Sequence, residues 1–343
     1  MAVDEPKATL FLLSYNQAAY LPEAIRGAFS QDFDGLEIII SDDCSSDGSQ
    51  EIIRKAASSY LGPHALVTNF NPVNLGIVPH VNLGFKLARA PVVVMAASDD
   101  ISLPHRVRRI IETMSERGAE RTLAVVSDAI LINDAGNEQG YASNCRNERD
   151  LTAFALARDG GYINGAAAAY ARSLIVEMGD LEPKACAEDS ILPFRAALLG
   201  RVGHIPEALL LRRIHDQSMT GAAGKDQRAL LRAIEPMQHA FAVRLIDLQH
   251  PHVTEKFDEQ TLEQFRLLVV QSIQRIQLGV ALLKRSRGAL FDLLKSIVDR
   301  RVDIGMALKI LFMFRFPHVW KTYLNIGSIV RRFATRMLDK SLS

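Results

Sequence analysis

The sequence has little of what several classes of protein require. Its 343 residues include only 3 cysteines and 1 tryptophan. The cysteines, Cys44, Cys145 and Cys186, show no metal-ligand spacing, and a sparse, odd count fits a reducing compartment rather than a disulfide framework. No stretch reaches the ~18 uninterrupted apolar residues that a membrane-spanning helix needs. These absences exclude a disulfide-rich secreted scaffold and predict no transmembrane segment.

Neither sign of charge is in excess. The chain has 40 Lys and Arg against 39 Asp and Glu, for a formal net charge of +1. Binding to many phosphates requires a large basic excess, so we do not expect nucleic acid as a partner. The start, Met1 to Lys7, is polar and does not resemble a signal peptide. We therefore expect a cytoplasmic protein, with peripheral binding to the inner face of the membrane kept open.

Strand-like and helix-like segments alternate in the first part of the chain. Short apolar runs predict strands at Ala8–Ser14, Leu36–Ser41, Ala65–Asn69, Pro91–Ala97, Leu123–Ile132, Ala166–Tyr170 and Val202–Leu211. Helical patterns lie between them, which predicts an α/β fold with a mostly parallel sheet flanked by helices. Residues from Gln227 to Leu342 have a helical pattern with few breakers. The predicted domains are therefore residues 1–221, which contain the sheet, and 222–343, a helical C-terminal region.

Polar residues follow four of the predicted strands. These segments are Ser14-Tyr15-Asn16, Asp42-Asp43, Asn74-Leu75-Gly76 and Ser98-Asp99-Asp100. In open parallel sheets, ligands bind beyond the carboxyl ends of the strands. An aromatic ring such as that of Tyr15 can stack on a base, and a carboxylate such as Asp42 can accept a ring N–H. Paired carboxylates at Asp99 and Asp100 suit a divalent cation that also binds a diphosphate.

Two segments carry a resemblance to a known family. The first, TLFLLSYNQAAYLPEAIRGAFSQDFDGLEIIISDDCSSDGSQEII, resembles the opening of family 2 glycosyltransferases of the GT-A fold. The second, NLGIVPHVNLGFKLARAPVVVMAASDDISLPHRV, is similar to the family's helix, strand and metal-binding turn. Further on, Glu188-Asp189 resembles the acceptor-side motif, and RRIH (Arg212 to His215) resembles the basic segment that closes the domain. The similarity covers about Thr9 to Thr220.

The resemblance implies an inverting, metal-dependent enzyme that moves a hexosyl-type sugar from a nucleotide-diphosphate donor to an acceptor hydroxyl. It makes Asp189 the general base, Glu188 an acceptor-side residue, and Mn²⁺ or Mg²⁺ the cofactor. It also implies these ligand contacts: Ser14, Tyr15, Asn16, Asp42, Asn74, Ser98 and Asp99 for the nucleotide sugar, and Asp99, Asp100 and His215 for the metal. A UDP-sugar is the expected donor, and a lipid-linked glycan of bacterial surface polysaccharide assembly is a candidate acceptor.

Simpler interpretations of the same residues stay open. Asp42, Asp43 and Asp47 are also typical of turns and helix caps, and we interpret Asp47 as such a residue. Asp189 could simply complement a helix dipole. Family members often carry an acid two positions before the metal ligand, where this chain has Ala97. That departure favours one alternative function, a catalytically weak binding or assembly subunit. A nucleotidyltransferase is the other alternative, but SYNQAAYLPEA lacks the Gly-rich basic loop expected there.

The C-terminal region lies outside the resemblance. Residues Leu308 to Phe333 combine Phe312, Phe314, Phe316 and Trp320 with several Lys and Arg residues. Basic amphipathic helices rich in aromatic residues can lie in a membrane interface. Packing within a helical bundle or a homo-oligomer interface explains the same pattern, so both interpretations stay open.

Overall fold

The structure of the chain is a computed structural model. The structure describes residues 5–116, 120–145, 147–159, 163–185, 187–215 and 227–284. The chain divides into two compact units, residues 1–273 and 274–343. The predicted boundary between residues 221 and 222 and the aromatic segment from Leu308 to Phe333 both lie outside the described residues, so they stay predictions.

The described strands all belong to one sheet. They are β1 (Ala8–Ser14), β2 (Leu36–Asp42), β3 (Ala65–Phe70), β4 (Val92–Ala97), β5 (Ile101–Ser102), β6 (Thr122–Ile132), β7 (Glu138–Ala142), β8 (Ala168–Ala171) and β9 (Arg201–Arg213). Their order across the sheet is β3-β2-β1-β4-β8-β6-β9-β5, and β7 pairs with β6. All seven predicted strands are present, while the short β5 and the exposed β7 were not predicted from their sequences.

The described helices are interleaved with these strands and continue after them. They are α1 (Leu21–Phe29), α2 (Ser49–Ser58), α3 (Ile77–Leu87), α4 (Arg106–Ser115), α5 (Ala153–Asp159), α6 (Ser173–Val176), α7 (Glu188–Leu199), α8 (Gln227–Asp247), α9 (Pro251–Thr254) and α10 (Glu259–Leu283). Helix α1 begins with a proline in its first turn, where the missing N–H costs nothing. Among the described helices, none is long and apolar enough to cross a membrane.

The sheet is parallel in its first half and mixed in its second. Strands β3, β2, β1 and β4 run parallel, as helical crossovers between neighbouring strands require. Strand β8 is antiparallel to both β4 and β6, and β9 runs parallel to β6. The register between β6 and β9 shifts opposite Pro206, where the sequence predicts a turn. The predicted α/β class is correct. The antiparallel pairs are those of β8 with its neighbours β4 and β6, of β5 with β9, and of β7 with β6.

The core packs the sheet against its helices with little free space. Leu10, Ile38 and Val94 on three adjacent strands are completely buried. Helix α3 approaches β1 so closely that a Cβ placed on Gly84 would lie 2.2 Å from the ring of Phe11. Only glycine allows this contact, which holds α3 against the centre of the sheet. Because apolar side chains fill the centre of the sheet, we look for residues that contact a ligand in the loops at the strand ends.

Candidate active site

The loops after β1 and β2 are tied together at the carboxyl edge of the sheet. The Asn16 N–H donates to Ser45 Oγ at 2.8 Å, and Ser46 N–H donates to Asn16 Oδ1 at 2.9 Å. Asn16 has a φ of 51°, a left-handed conformation that asparagine tolerates better than most residues. The Ala18 N–H donates to Asp47 Oδ2 at 2.8 Å. Asn16 and Asp47 therefore hold the two loops in fixed relation.

Asp42 is buried beneath this pair of loops. Its Oδ1 accepts from the Ser45 N–H and from Gln50 Nε2, both at 2.9 Å. Its Oδ2 accepts from Ser45 Oγ at 2.5 Å and from Ser14 Oγ at 3.3 Å. Four donors fill the capacity of one carboxylate. Ser14 and Asp42, two predicted nucleoside contacts, thus lie in contact with each other, and Asp42 also organises the loop.

Asp43 holds the next loop along the sheet edge. Its carboxylate accepts from the backbone N–H groups of Leu75 and Gly76, at 2.9 and 3.0 Å, and from Asn71 Nδ2 at 2.8 Å. Gly76 has a φ of 79°, which explains the glycine at the start of α3. The sequence pattern identified Asp43 only as a turn residue. Its role became visible because the fold brings the β3–α3 loop beside it.

Three further predicted contacts lie at the same edge in different environments. Tyr15 is 49% exposed, so a ligand can reach its side chain. Asn74 is exposed in the loop that Asp43 holds, while Ser98 is buried at the end of β4. The exposed pair, Tyr15 and Asn74, is placed to contact a ligand, and Ser98 is enclosed by protein.

Asp99 and His215 meet although 116 positions separate them. His215 Nε2 lies 3.1 Å from Asp99 Oδ2, and the His215 side chain is almost completely buried. Neighbouring Asp100 is buried and its Oδ1 accepts the Arg213 N–H at 2.8 Å. Burial, followed by the charge of Asp99, raises the pKa of Asp100. The three predicted metal ligands are therefore grouped where β4 ends and β9 ends.

Arg213 is the residue that joins these two strand ends. Its side chain is 1% exposed, its Nε donates to the Asp99 carbonyl at 3.1 Å, and it forms an ion pair with Glu23. Its Nη1 donates to the carbonyls of Asn133 and Asp134, both at 2.9 Å. A charged side chain is buried only when its donors are satisfied, as they are here. Arg213 thus holds the two strand ends together and does not itself face the ligand. The basic RRIH segment of the sequence did not reveal this role.

Tyr20 is a second residue that the sequence did not identify. Its ring packs against the ring of His215, with centroids 4.8 Å apart, and under the guanidinium of Arg213 at 4.8 Å. Its hydroxyl donates to Asp134 Oδ1 at 2.6 Å, and this hydrogen bond is the main reason that the pKa of Tyr20 is raised. Tyr20 restricts the orientation of the His215 imidazole. No motif marks it, because the contact forms only when the β6–β7 turn folds over α1.

A divalent cation fits the chemistry of this group. Among the described residues no cluster of three His, Cys, Asp or Glu side chains has the geometry of a complete metal site. Mg²⁺ and ions like it use one or two carboxylates and take their remaining ligands from substrate phosphates and water. Asp99 and His215 face each other and would supply two such ligands, with Asp100 next to Asp99 in the chain. The donor set therefore suits a cation that binds together with a diphosphate.

Glu188 and Asp189 form a separate acidic pair at the first turn of α7. Each side chain is partly exposed, yet protein atoms surround most of it. Burial raises the pKa of both carboxyls, and the charge of Asp189 raises that of Glu188 further. The Gly165 N–H donates to Asp189. A carboxyl that titrates nearer to neutral pH than usual is suited to accept a proton from a substrate.

One cation connects the acidic pair with the Asp99 group. The positive charge of Arg212 lowers the pKa of both Asp189 and Asp100. Arg212 is next to Arg213 in β9, and successive strand residues point to opposite faces. Strand β9 therefore contributes to both parts of the candidate site. Arg213 lies behind the Asp99 group, which consists of Asp99, Asp100 and His215. Arg212 is close enough to lower the pKa of both Asp100 and Asp189.

Comparison with known proteins identifies the family of this chain. Residues 9–179 match the profile of glycosyl transferase family 2. The chain belongs to that family, in agreement with the resemblance seen in its sequence motifs. The match begins in β1 and reaches the loop after α6, so it includes Asp42 and Asp99 but ends before Asp189.

Curated relatives share part of their length with this chain. An uncharacterized glycosyltransferase from Nostoc sp. is 26% identical over 213 residues, which are 61% of this chain and 65% of that protein. The succinoglycan biosynthesis protein ExoO of Rhizobium meliloti is 30% identical over 120 residues, 35% of this chain and 33% of that protein. The chain thus spans about two thirds of the first relative and one third of the second.

Solved structures share the fold. The mannosyltransferase PcManGT from Pyrobaculum calidifontis, in complex with GDP-Man and Mn²⁺, matches 92% of this chain and 88% of its own, with a TM-score of 0.55 and 17% identity. S. aureus TarS 1-349 in complex with UDP-GlcNAc matches 90% and 91%, with a TM-score of 0.52 and 15% identity. The predicted GT-A fold with a helical C-terminal region is confirmed.

Proposed function

We propose that this chain is an inverting glycosyltransferase that uses a nucleoside-diphosphate sugar and a divalent cation. The observation that carries the proposal is the meeting of Asp99 and His215, 3.1 Å apart, at the carboxyl edge of the sheet. The family membership and the electrostatic link through Arg212 to Asp189 support it. ExoO is named for succinoglycan biosynthesis, which favours a glycan acceptor, and a lipid-linked one agrees with the basic C-terminal segment.

In the proposed reaction the donor lies across the carboxyl edge of the sheet. Tyr15 stacks on the base. The other predicted contacts either touch the nucleotide sugar or hold a loop that does so: Ser14, Asn16, Asp42, Asn74 and Ser98. The diphosphate lies beside Asp99, Asp100 and His215. These three residues would hold a divalent cation, which would supply positive charge against the negative charge that develops on a departing diphosphate. PcManGT binds GDP-Man with Mn²⁺ and TarS binds UDP-GlcNAc, so both nucleotides are donor candidates and UDP-sugars come first.

The chemical step needs one base and no covalent intermediate. The ionised carboxylate of Asp189 accepts the proton of the acceptor hydroxyl, whose oxygen then bonds to the anomeric carbon from the face opposite the diphosphate. The bond from that carbon to the phosphate oxygen breaks, and its electron pair leaves with the diphosphate, which inverts the anomeric centre. Glu188 lies on the acceptor side, where its partly exposed carboxyl can contact the incoming hydroxyl.

Nucleotide binding tests the donor half of the proposal. UDP, GDP, dTDP and CDP are titrated into the protein by calorimetry, with and without Mn²⁺. We expect one nucleotide to bind with a clear dependence on Mn²⁺ and Asp99→Ala to lose that dependence. Asp180→Ala is the matched control, because Asp180 is an exposed aspartate that pairs with Lys86. If none of the nucleotides binds to the folded protein, the binding or assembly subunit becomes the better account.

The proposed location follows from the acceptor. We place the protein in the cytoplasm, at the inner face of the membrane when its acceptor is lipid-linked. Sedimentation of the full chain with anionic phosphatidylglycerol vesicles distinguishes this from a homo-oligomer formed through the C-terminal helices. Salt-sensitive co-sedimentation supports the membrane surface, and concentration-dependent self-association without vesicle binding supports the oligomer.

A further inference from the structure

Helix α8 reaches the acidic pair of α7 through one buried arginine. Arg244 is completely buried, although it belongs to a helix outside the predicted catalytic domain. Its Nη2 donates to the Ser190 carbonyl at 2.5 Å and to Ser190 Oγ at 2.6 Å. Its Nη1 donates to the carbonyl of Leu156, in the middle of α5, at 2.6 Å. Ser190 directly follows Asp189, so Arg244 is hydrogen-bonded to the helical turn that carries the proposed base.

Arg244 carries its charge in a buried and largely apolar environment. The rings of Phe241 and Phe194 lie 4.2 and 5.2 Å from the guanidinium carbon, and the Nε has no hydrogen-bond partner among the described residues. Burial lowers the pKa of Arg244 to about 9, against the charges of Asp247 and Asp189. A leucine or methionine would hold the two helices together at lower cost. The charge of Arg244 is therefore not explained by packing alone.

The charged and titratable groups around Asp189 come from four elements. Glu188 precedes it in α7, Tyr170 faces it from β8, Arg212 from β9 and Arg244 from α8. Glu188 and Tyr170 are acids that remain neutral or become negative, whereas the two arginines are cations. The arginines therefore supply the positive charge that favours an ionised Asp189 in a site whose burial opposes it.

We propose that Arg244 is a positioning residue that holds the first turn of α7 in place and keeps the Asp189 carboxylate ionised for proton abstraction. This inference rests on the proposed function, in which Asp189 is the base. It extends the acceptor half of the site to α8, beyond the residues 9–179 that match the family.

Arg195 offers a matched comparison within the same pair of helices. It lies in α7 with its side chain 3% exposed, and its Nη2 contacts Asp247 of α8 at 2.9 Å. It also donates to the carbonyls of Gly179 and Leu174, at 2.7 and 3.3 Å. Arg195 therefore joins α7 to α8 as Arg244 does, but its charge is not among the main influences on the pKa of Asp189.

The first test is a pH profile. Release of UDP from UDP-N-acetylglucosamine with Mn²⁺, water replacing the acceptor, is measured for the wild type, Arg244→Met, Arg244→Lys and Arg195→Met. We expect Arg244→Met to lower kcat and to shift the acidic limb to higher pH, because a missing cation raises the pKa of the base. In Arg244→Lys the acidic limb should return to the pH at which it lies in the wild type, and in Arg195→Met it should not move. An unchanged limb in Arg244→Met overturns the proposal.

A second test does not require turnover. The free energy of unfolding is measured with urea for the wild type, Asp189→Asn, Arg244→Met and the double variant, at pH 8.5 and pH 4.5. We expect a coupling free energy between positions 189 and 244 at pH 8.5. This coupling should disappear at pH 4.5, where Asp189 is protonated. Equal coupling at both pH values means that Arg244 is only structural. If Asp189→Asn transfers sugar normally, the proposed base is wrong, whatever the cycle shows about Arg244.

Discussion

Asp189 is the single residue on which the proposed chemistry depends most. We expect Asp189→Asn to reduce kcat by about 10²- to 10⁴-fold, the usual contribution of a general base. Nucleotide binding in the presence of Mn²⁺ should stay within about twofold, because the Asp99 group is intact. Rate measurements with the donor that binds, together with calorimetry, separate the two effects. A normal kcat would remove Asp189 from the mechanism.

The same residue predicts the pH dependence of the reaction. Burial raises the pKa of Asp189, so the base is protonated, and inactive, over a wider acidic range than an ordinary aspartate. The profile of kcat/KM against pH should therefore fall on an acidic limb that lies above pH 3.9, the usual aspartate value. A profile that stays flat down to pH 4 would contradict this expectation.

Glu188 shows that the acidic pair costs stability. Its folded-state pKa is raised, mainly by burial, so the protonated form is favoured in the fold. Below the unfolded-state pKa both states are protonated and the cost is absent, and the cost grows as pH rises towards the folded-state pKa. Glu188→Gln should therefore stabilise the protein by about 1–2 kcal/mol at pH 8 and leave stability unchanged at pH 4.

Urea unfolding at the two pH values measures this difference. Glu51→Gln is the control, because Glu51 is an exposed glutamate in the first turn of another helix, α2. The control should have little effect at either pH. A Glu188→Gln variant that is less stable than the wild type at pH 8 would show that the carboxylate makes a favourable contact.

At the scale of elements, the approach of α3 to β1 makes one glycine indispensable. Gly84→Ala would place a methyl group 2.2 Å from the ring of Phe11, so the helix or the ring must move. We expect a loss of about 1–3 kcal/mol of unfolding free energy. Gly203→Ala is the control, since its Cβ would meet other atoms only at 3.5 Å or more. Equal stabilities of the two variants would mean that α3 packs less closely than described.

Single elements also explain why the site is assembled from distant parts of the chain. Strand β9 carries Arg212, Arg213 and, two residues later, His215 to the end of β4. Pairing of β9 with β5 and β6 fixes this register. The local sequence of β9 predicted a strand, but the partner of His215 depended on which strand lay beside it.

At the scale of the whole molecule, ligand binding should couple to stability. A nucleotide that binds only the folded state stabilises it by about 2.7 kcal/mol when present at 100 times its Kd. UDP with Mn²⁺ should therefore raise the Tm more than UDP or Mn²⁺ alone. Asp99→Ala should lose the combined effect, whereas Asp180→Ala should retain it. Thermal unfolding followed by circular dichroism measures the Tm of each protein under each ligand condition. An equal rise in Tm for both variants would show that Asp99 does not bind the metal.

Much of the fold, and the position of several candidate site residues at one edge of the sheet, could be predicted from the sequence alone. Buried strands can be recognised as short apolar runs. Polar residues at or directly after the ends of β1, β2 and β4 must lie at one edge of a parallel sheet. That logic located Ser14, Asp42 and Asp99 without coordinates. It gave Tyr20 no special role and left Asp43 as a turn residue, because their roles are contacts with segments far away in the chain.

The tertiary structure decided what each charge does. Local sequence determines hydrophobic periodicity and turn chemistry, which depend on neighbours within a few residues. The burial and partners of a side chain depend on long-range packing, and these control its pKa and its freedom to meet a ligand. For this reason the RRIH motif and the acidic pair were visible as motifs, whereas only the fold turned Arg213 inward and brought Arg244 of α8 to Ser190, beside Asp189.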